Sequence, residues 1–237
     1  MTDTTLAPSP SALHDIRPRR LLAALPTRAD AFAHLGPNWF ASVMGTGIVA
    51  VAATLLPVRF AGREPLAVIA WVTAAALLVL LIAATAVHWL RHPDTARGHA
   101  RDSAMAPFYG APPMALLTVG AGALLAGRHL IGLHDAVVVD SVLWTAGTLT
   151  GLAAAVAIPY IMFTAHELSL GDTLGSWLMP IVPPMVSAAT GAALIAHLPA
   201  GQPRLDMLLA CYAMFGLSLI ASLAIITLLW ARLAQHG

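Results

Sequence analysis

Few side chains in this sequence have the chemistry of a catalytic or metal-binding group, and they do not cluster. His166 and Glu167 begin the segment HELSL, which starts like the zinc motif HExxH, but Leu170 stands where the second histidine would be. Cys211 is the only cysteine, which excludes a disulfide framework and a cysteine-based metal site. The sequence contains no Walker A motif. We therefore predict no metal, no cofactor and no enzymatic centre.

Asp140 is the one carboxylate that interrupts a long apolar segment. It follows Val137–Val139 and stands at the predicted start of a helix. There a carboxylate can cap the helix by accepting a backbone N–H, which is the role we expect. The alternative is a proton relay, because coupled transporters carry titratable groups inside the membrane.

The composition identifies the environment in which these residues must work. Of 237 residues, 59% are hydrophobic and 10% are charged, whereas soluble domains carry about 25% charged residues. This balance is typical of a membrane protein, whose main partner is the lipid bilayer. The formal net charge of +1 gives no reason to expect nucleic-acid binding.

Six apolar segments are long enough to cross a bilayer, because a helical span needs about 20 mostly apolar residues. Segments this long and continuous favour helices over barrel strands. The predicted fold class is therefore all-α: a polytopic membrane protein with six transmembrane helices in three helical hairpins. The predicted spans are 38–56, 66–90, 108–127, 137–163, 177–196 and 206–233.

The arginines predict the orientation of the spans. All 12 basic residues are arginine; 8 lie on the side of the N-terminus and 4 on the other side, which places both termini in the cytoplasm. Residues 1–36 lack a compact apolar stretch and do not resemble a signal peptide. We predict that they form a cytoplasmic tail, partly disordered or interfacial, before a transmembrane domain over 37–237 in the cell membrane.

The third and fifth spans contain a repeat. The segments APPMALLTVGAGALL (Ala111–Leu125) and VPPMVSAATGAALI (Val182–Ile195) share a double proline, a methionine and a glycine at a constant offset. Prolines within a span break a backbone hydrogen bond and bend the helix, and such breaks are not tolerated against lipid. The odd spans should therefore face inward and the even spans should shield them. The alternative is that the small residues serve only helix packing.

Two segments carry a resemblance to a known family. PNWFASVMGTGIVA (Pro37–Ala50) and LMPIVPPMVSAATGA (Leu178–Ala192) resemble the tellurite-resistance/dicarboxylate transporter family. That family includes TehA-like and slow-type anion channels, malate permeases and sulfite efflux pumps. The resemblance implies five hairpins, or ten spans, around a central pore lined by the odd helices, and a trimer in many members.

Transferred to this sequence, the resemblance implies which residues face the pore. The glycines would thin the pore wall where the ion passes, and hydroxyl groups would contact the ion. No arginine interrupts the middle of a span, so the anion would be held weakly, by hydroxyls and helix-end dipoles. The predicted pore-lining residues are Ser42, Gly45, Thr46, Gly47, Pro112, Pro113, Gly120, Pro184, Ser187 and Gly191.

We therefore expect a transporter or channel for small anions, such as C4-dicarboxylates, tellurite or sulfite. The sequence departs from the family pattern because it contains three hairpins, not five. The family's gating phenylalanine lies on the ninth helix, which has no counterpart here. Either other copies complete the ring, as in a homo-oligomer, or the chain is truncated. The alternative function is a non-conducting family member with a structural or assembly role.

Overall fold

The computed structural model describes residues 35–58 and 60–236, and every regular element within these ranges is helical. The predicted cytoplasmic tail lies almost entirely outside the described residues, which begin at residue 35. Eight α-helices follow one another along the chain. They are α1 (Phe40–Leu55), α2 (Arg63–Arg91), α3 (Pro93–Arg101), α4 (Ala111–Gly122), α5 (Arg128–Ile131), α6 (Leu133–Ala165), α7 (Pro183–Leu194) and α8 (Gln202–His236).

Five helical segments in the described part of the chain are long and apolar enough to cross a membrane. They correspond to predicted spans one to four and six. The predicted fifth span contains the 12-residue helix α7, which lies between 3-10 turns at Gly175–Leu178 and Ile195–His197. The all-α, polytopic class is confirmed, with a shorter fifth helix. The five segments are Pro37–Leu55, Arg63–Arg91, Ala106–Ile131, Leu133–Ala165 and Gln202–Gln235.

The double prolines stand at the start of the α-helical part of their spans. Pro112 and Pro113 lie in the first turn of α4, and Pro183 and Pro184 lie in the first turn of α7. The N–H groups of a first turn have no acceptor within the helix, so proline costs no hydrogen bond there. Pro112 and Pro113 also lie inside the continuous helical segment Ala106–Ile131, at its change from 3-10 to α-helix, and the predicted bend stays a prediction. Both helices are 12 residues long and each follows a 3-10 turn, which agrees with the predicted repeat.

The helices of the first, third and fifth spans are α1, α4 and α7, and they stand in a row with α4 at the centre. Helix α4 packs against α1 on one side and α7 on the other, and it also contacts α2 and α6. A π-helical turn at Ala123–Gly127 and the short α5 extend α4 to the end of its span. In the apolar window of this span 67% of the residues are buried, against 17% in the last span. The third span is therefore the core of the assembly.

Large exposed apolar side chains mark the faces that meet lipid. They run along α2, α6 and α8, for example at Val79, Val142 and Ile220, whereas α4 and α7 expose none. Helix α1 also exposes some, including Ile48 and Val49. The predicted alternation of shielded and shielding helices agrees with this pattern for α4 and α7, whereas α1 has an open face.

The outer helices α2 and α6 each donate a hydrogen bond to a carbonyl of one of the inner helices, which are α1, α4 and α7. Trp71 Nε1 of α2 donates to Val119 O at 3.1 Å, and Trp144 Nε1 of α6 donates to Ser187 O at 2.8 Å. A hydroxyl on α8 serves the same purpose, because Ser218 Oγ donates to a backbone carbonyl immediately before α7. Such bonds stabilise packing between helices in lipid, where water offers no competing partner. They hold the inner row in register with the outer helices.

Candidate functional site

The three hairpins match position by position, so their inner helices can be compared. The spacing that pairs Gly47 with Gly120 also pairs Trp71 with Trp144. The spacing that pairs Pro113 with Pro184 brings Gly191 into line with Gly120. Equivalent positions that are buried in all three inner helices are Phe40, Pro113 and Pro184; Gly47, Gly120 and Gly191; and Ala50, Ala123 and Leu194.

The equivalent glycines face neighbouring helices of the same chain. A Cβ atom at Gly47 would lie 2.9 Å from Thr118 Oγ1 of α4, and one at Gly120 would lie 2.7 Å from Asp140 Oδ1 of α6. At Gly191 it would lie 2.8 Å from Trp144 Nε1. Glycine is therefore needed at these positions for close packing between helices, as in other membrane bundles. Their contacts do not support the predicted place in a pore wall.

Gly45 differs from Gly47 in its surroundings. It is exposed, and a Cβ atom built on it would have no other atom within 4 Å. Ser42 is exposed and Thr46 is half-buried on the same part of α1. Their hydroxyls donate to carbonyls of their own helix, Ser42 Oγ to Trp39 O at 2.7 Å and Thr46 Oγ1 to Ser42 O at 2.8 Å. Each hydroxyl proton is therefore engaged within the chain, and the open face of α1 also presents the apolar side chain of Ile48.

The other predicted pore residues divide between contact and partial exposure. Pro113 and Pro184 are buried, and the Pro113 ring lies against Gly151 of α6. Pro112 is half-buried. Ser187 is fully buried, and its hydroxyl has no hydrogen-bond partner among the described residues. The structure thus brings Ser42, Gly45 and Thr46 together on an open face and places the buried members of the predicted set between helices.

One exposed small position of α7, in the groove between α7 and α8, was missed by sequence reasoning. The spacings above align Gly45 of α1 with Thr118 of α4 and with Ala189 of α7. Ala189 is exposed like Gly45, whereas Thr118 is buried between helices and donates to Ala115 O at 3.1 Å. The sequence carried a signal, because all three aligned residues are small. Only the exposure of each side chain shows which of the small residues are open to the surroundings.

Asp140 does not cap a helix. Helix α6 begins at Leu133, so Asp140 lies about two turns inside it, and the predicted N-cap role is wrong. The side chain is 0% exposed. Neither carboxylate oxygen has a hydrogen-bond partner in the described part of the chain. The missed signal is Gly132, which has a positive φ of 85° and ends the preceding turn, so that the helix starts earlier.

The other charged groups lie at the ends of the spans. Within residues 35–58 and 60–236 the structure shows one ion pair, Arg97 with Asp94, both exposed on α3. The same residues contain no group of histidine, cysteine and acidic side chains that could hold a metal ion. His166 is half-buried and Glu167 is exposed after the end of α6. The open face therefore offers small residues and hydroxyl groups, without a fixed charge.

Known proteins resemble this chain over nearly its whole length. A sulfite efflux pump of Trichophyton rubrum is 27% identical over 97% of the chain. An uncharacterized transporter of Methanocaldococcus jannaschii is 24% identical over 91%, and a putative malic acid transport protein of Schizosaccharomyces pombe is 25% identical over 86%. The names of these relatives describe transporters.

The chain is shorter than these relatives. It spans 61% of the sulfite efflux pump, 60% of the archaeal transporter and 47% of the malic acid transport protein. No solved structure matches the chain.

The family model that matches the chain covers every candidate membrane span of the described residues. It is the SLAC1 model, described as voltage-dependent anion channel, and it matches residues 34–237. This match confirms the resemblance found in PNWFASVMGTGIVA and LMPIVPPMVSAATGA, and the apolar helices identify a multi-pass membrane protein. The chain belongs to the voltage-dependent anion channel family.

Proposed function

We propose that this protein conducts or transports small anions along the open face of its inner helices. The observation that carries the proposal is the family match over residues 34–237. The arrangement of α1, α4 and α7 in one row supports it, because the inner helices of one pathway must be neighbours.

The pathway would pass Gly45 on α1 and Ala189 on α7. Both residues are exposed and small, so they leave space beside the row of inner helices. Ser42 and Thr46 lie beside this space, and each hydroxyl can donate to an anion once it turns away from the backbone carbonyl that it now contacts. Because no arginine lies on this face, an anion would bind weakly and leave readily, which suits a channel or a fast carrier.

Sulfite is the first candidate substrate and malate the second. The sulfite efflux pump of Trichophyton rubrum aligns with 97% of this chain, and a putative malic acid transport protein also aligns with it. Both substrates are small oxyanions with delocalised negative charge, and a hydroxyl released from its backbone carbonyl can donate to such oxygens. Tellurite is a third oxyanion of the same class.

The test is anion flux into liposomes that contain the purified protein. We expect flux of sulfite or malate above protein-free liposomes, and we expect Gly45→Leu to reduce it because the side chain fills the open space. Gly216→Leu on the outer helix α8 is the matched control, since a Cβ atom there also meets no atom within 4 Å. Reduction by both variants would remove Gly45 from the pathway.

The absence of flux for sulfite, malate, tellurite and chloride would refute the transport proposal. It would favour the alternative of a family member with a structural or assembly role. We place the protein in the cell membrane with both termini in the cytoplasm, which the arginine distribution supports.

A further inference from the structure

The carboxyl group of Asp140 lies against the central inner helix. A Cβ atom on Gly120 would lie 2.7 Å from Asp140 Oδ1, so one Cα–H of Gly120 points at this oxygen. Gly120 lies near the middle of the span Ala106–Ile131. Asp140 is therefore deep in the membrane, beside the helix that forms the core of the inner row.

Among the described residues, no cation forms an ion pair or hydrogen bond with Asp140. No titratable side chain is present in α4, in the π-helical turn that follows it or in α7. The charged and titratable groups nearest along the chain are His134 and Asp135 in the first turn of α6 and Arg128 and His129 on α5. All four side chains are exposed at the end of the spans.

A further helix or another copy of the chain could not supply the missing charge by contact. Asp140 is 0% exposed within the described residues alone, so its burial is complete before anything else packs on the surface. An ionised carboxylate without a hydrogen bond or counter-charge is strongly disfavoured in such a site, and the group becomes neutral by binding a proton.

We propose that Asp140 is a proton-binding site of the membrane-inserted protein, and that its protonation controls the packing of α6 on α4 and thereby anion flux. The proton comes from bulk water and binds one carboxylate oxygen. Release of this proton would place a negative charge against Gly120. Water would then enter the contact between α4 and α6, or α6 would move away from α4. The link to flux rests on the proposed anion pathway, because α4 is the central helix of the inner row.

The repeat supplies a variant that should fold. The spacing that aligns Pro112 with Pro183 also aligns Asp140 with Cys211 of α8. Cys211 is buried at the matching place, with its sulfur 3.0 Å from the position of a Cβ atom on Gly191. Asp140→Cys therefore places in the second hairpin the residue that the third hairpin already accommodates, and Asp140→Asn mimics the protonated acid in size.

Infrared difference spectroscopy of the protein in liposomes tests the proton site directly. We expect a protonated-carboxyl band at neutral pH that disappears in Asp140→Asn and in Asp140→Cys, and that fades in the wild type as pH rises. Asp135→Asn is the matched control on the same helix and should retain the band. Spectra in which neither Asp140 variant removes such a band would overturn the proposal.

Flux measurements with the same samples test the coupling. We expect wild-type flux to change over the pH range in which the band fades, and the Asp140→Asn flux to lose this pH response. Identical pH profiles of flux for the two proteins would refute the coupling. Wild-type protein without flux at any pH would refute the proposed anion pathway, and the infrared result would still decide the proton site.

Discussion

Two glycines that are two residues apart on α1 have opposite roles. Gly47 faces Thr118 of α4 at packing distance, whereas Gly45 faces open space. On a helix with 3.6 residues per turn, two residues separate side-chain directions by roughly 200°. Gly47 therefore permits contact between helices, and Gly45 leaves space on the open face.

This contrast predicts opposite effects of the same substitution. Gly47→Ala should lower the thermal stability in detergent, because its Cβ would lie 2.9 Å from Thr118 Oγ1, and such overpacking costs about 1–3 kcal/mol. Gly45→Ala should leave the stability unchanged or raise it slightly, because alanine favours helix over glycine. Melting curves of the two variants decide the matter. Equal destabilisation by both would contradict the assignment of the two faces.

A short acidic turn outside the spans is sensitive to pH. Ser169 Oγ donates to Asp172 Oδ2 at 2.6 Å, and the Ser169 backbone N–H donates to the same oxygen at 2.9 Å. These two bonds, the side-chain bond first, lower the pKa of Asp172 below its usual value because they favour the ionised form.

A lowered pKa predicts where this turn loses its order. Ionised Asp172 stabilises the turn above the ordinary pKa of an aspartate, and this contribution disappears as pH falls through the lowered value. We expect the protection factor of the Ser169 amide, which is its intrinsic exchange rate at each pH divided by the observed rate, to fall at acid pH in the wild type. In Asp172→Asn the protection factor should be low at all pH values, and a wild-type protein whose protection does not change with pH would contradict the prediction.

At the scale of the elements, α4 and α6 pack closely because a small residue on one helix faces a larger residue on the other. Gly147 and Gly151 of α6 face Leu117, Pro113 and the start of α7. Gly120 of α4 makes room for Asp140 in the opposite direction. Small residues thus alternate between the two helices, and the backbones approach closely.

The contact of Gly120 with Asp140 can be measured by a double-mutant cycle. Gly120→Ala should destabilise the protein by about 1–3 kcal/mol, because its Cβ would lie 2.7 Å from Asp140 Oδ1. In the Asp140→Ala background the same substitution should cost less, with a coupling of about 0.5–3 kcal/mol. Gly216→Ala on α8, where no neighbour lies within 4 Å, is the control. Additive effects of the two substitutions would show that the residues do not touch in solution.

At the scale of the whole molecule, the three hairpins form an open row. Helices α1 and α7 each pack on α4 but leave faces uncovered, at Gly45 and Ile48 on α1 and at Ala189 and Ala192 on α7. Small residues on an uncovered helix face permit the close approach of another helix in the membrane. A further helix beside these faces would form another wall of the pathway and leave the space at Gly45 and Ala189 open.

We therefore predict that the 24.6 kDa chain associates with copies of itself in detergent. The family resemblance implies a trimer, whose protein mass by light scattering would be three times that of the chain. Ala189→Trp should weaken the association if α7 is the contact, whereas Gly216→Trp on α8 should not. A monomer at all protein concentrations would contradict the prediction and leave the open row to be completed in another way.

The sequence by itself determined the class of this protein. Long apolar segments, the double prolines and the family motifs are local properties of the chain, and they led to an all-α membrane protein, to its repeat and to its family. Even so, the fifth span could not be delimited, because apolar residues such as Trp177, Leu178 and Ile195 continue past both ends of α7 into the turns.

Only the tertiary structure decided which face each residue presents. Gly45 and Gly47 are the same residue type two positions apart, but they face different surroundings. The sequence allows Asp140 at a helix end or inside a helix, and the start of α6 at Leu133 places it inside. The physical reason is that membrane helices are apolar all around, so hydrophobic periodicity does not distinguish the lipid face from the packed face. Contacts with helices far along the chain make that distinction.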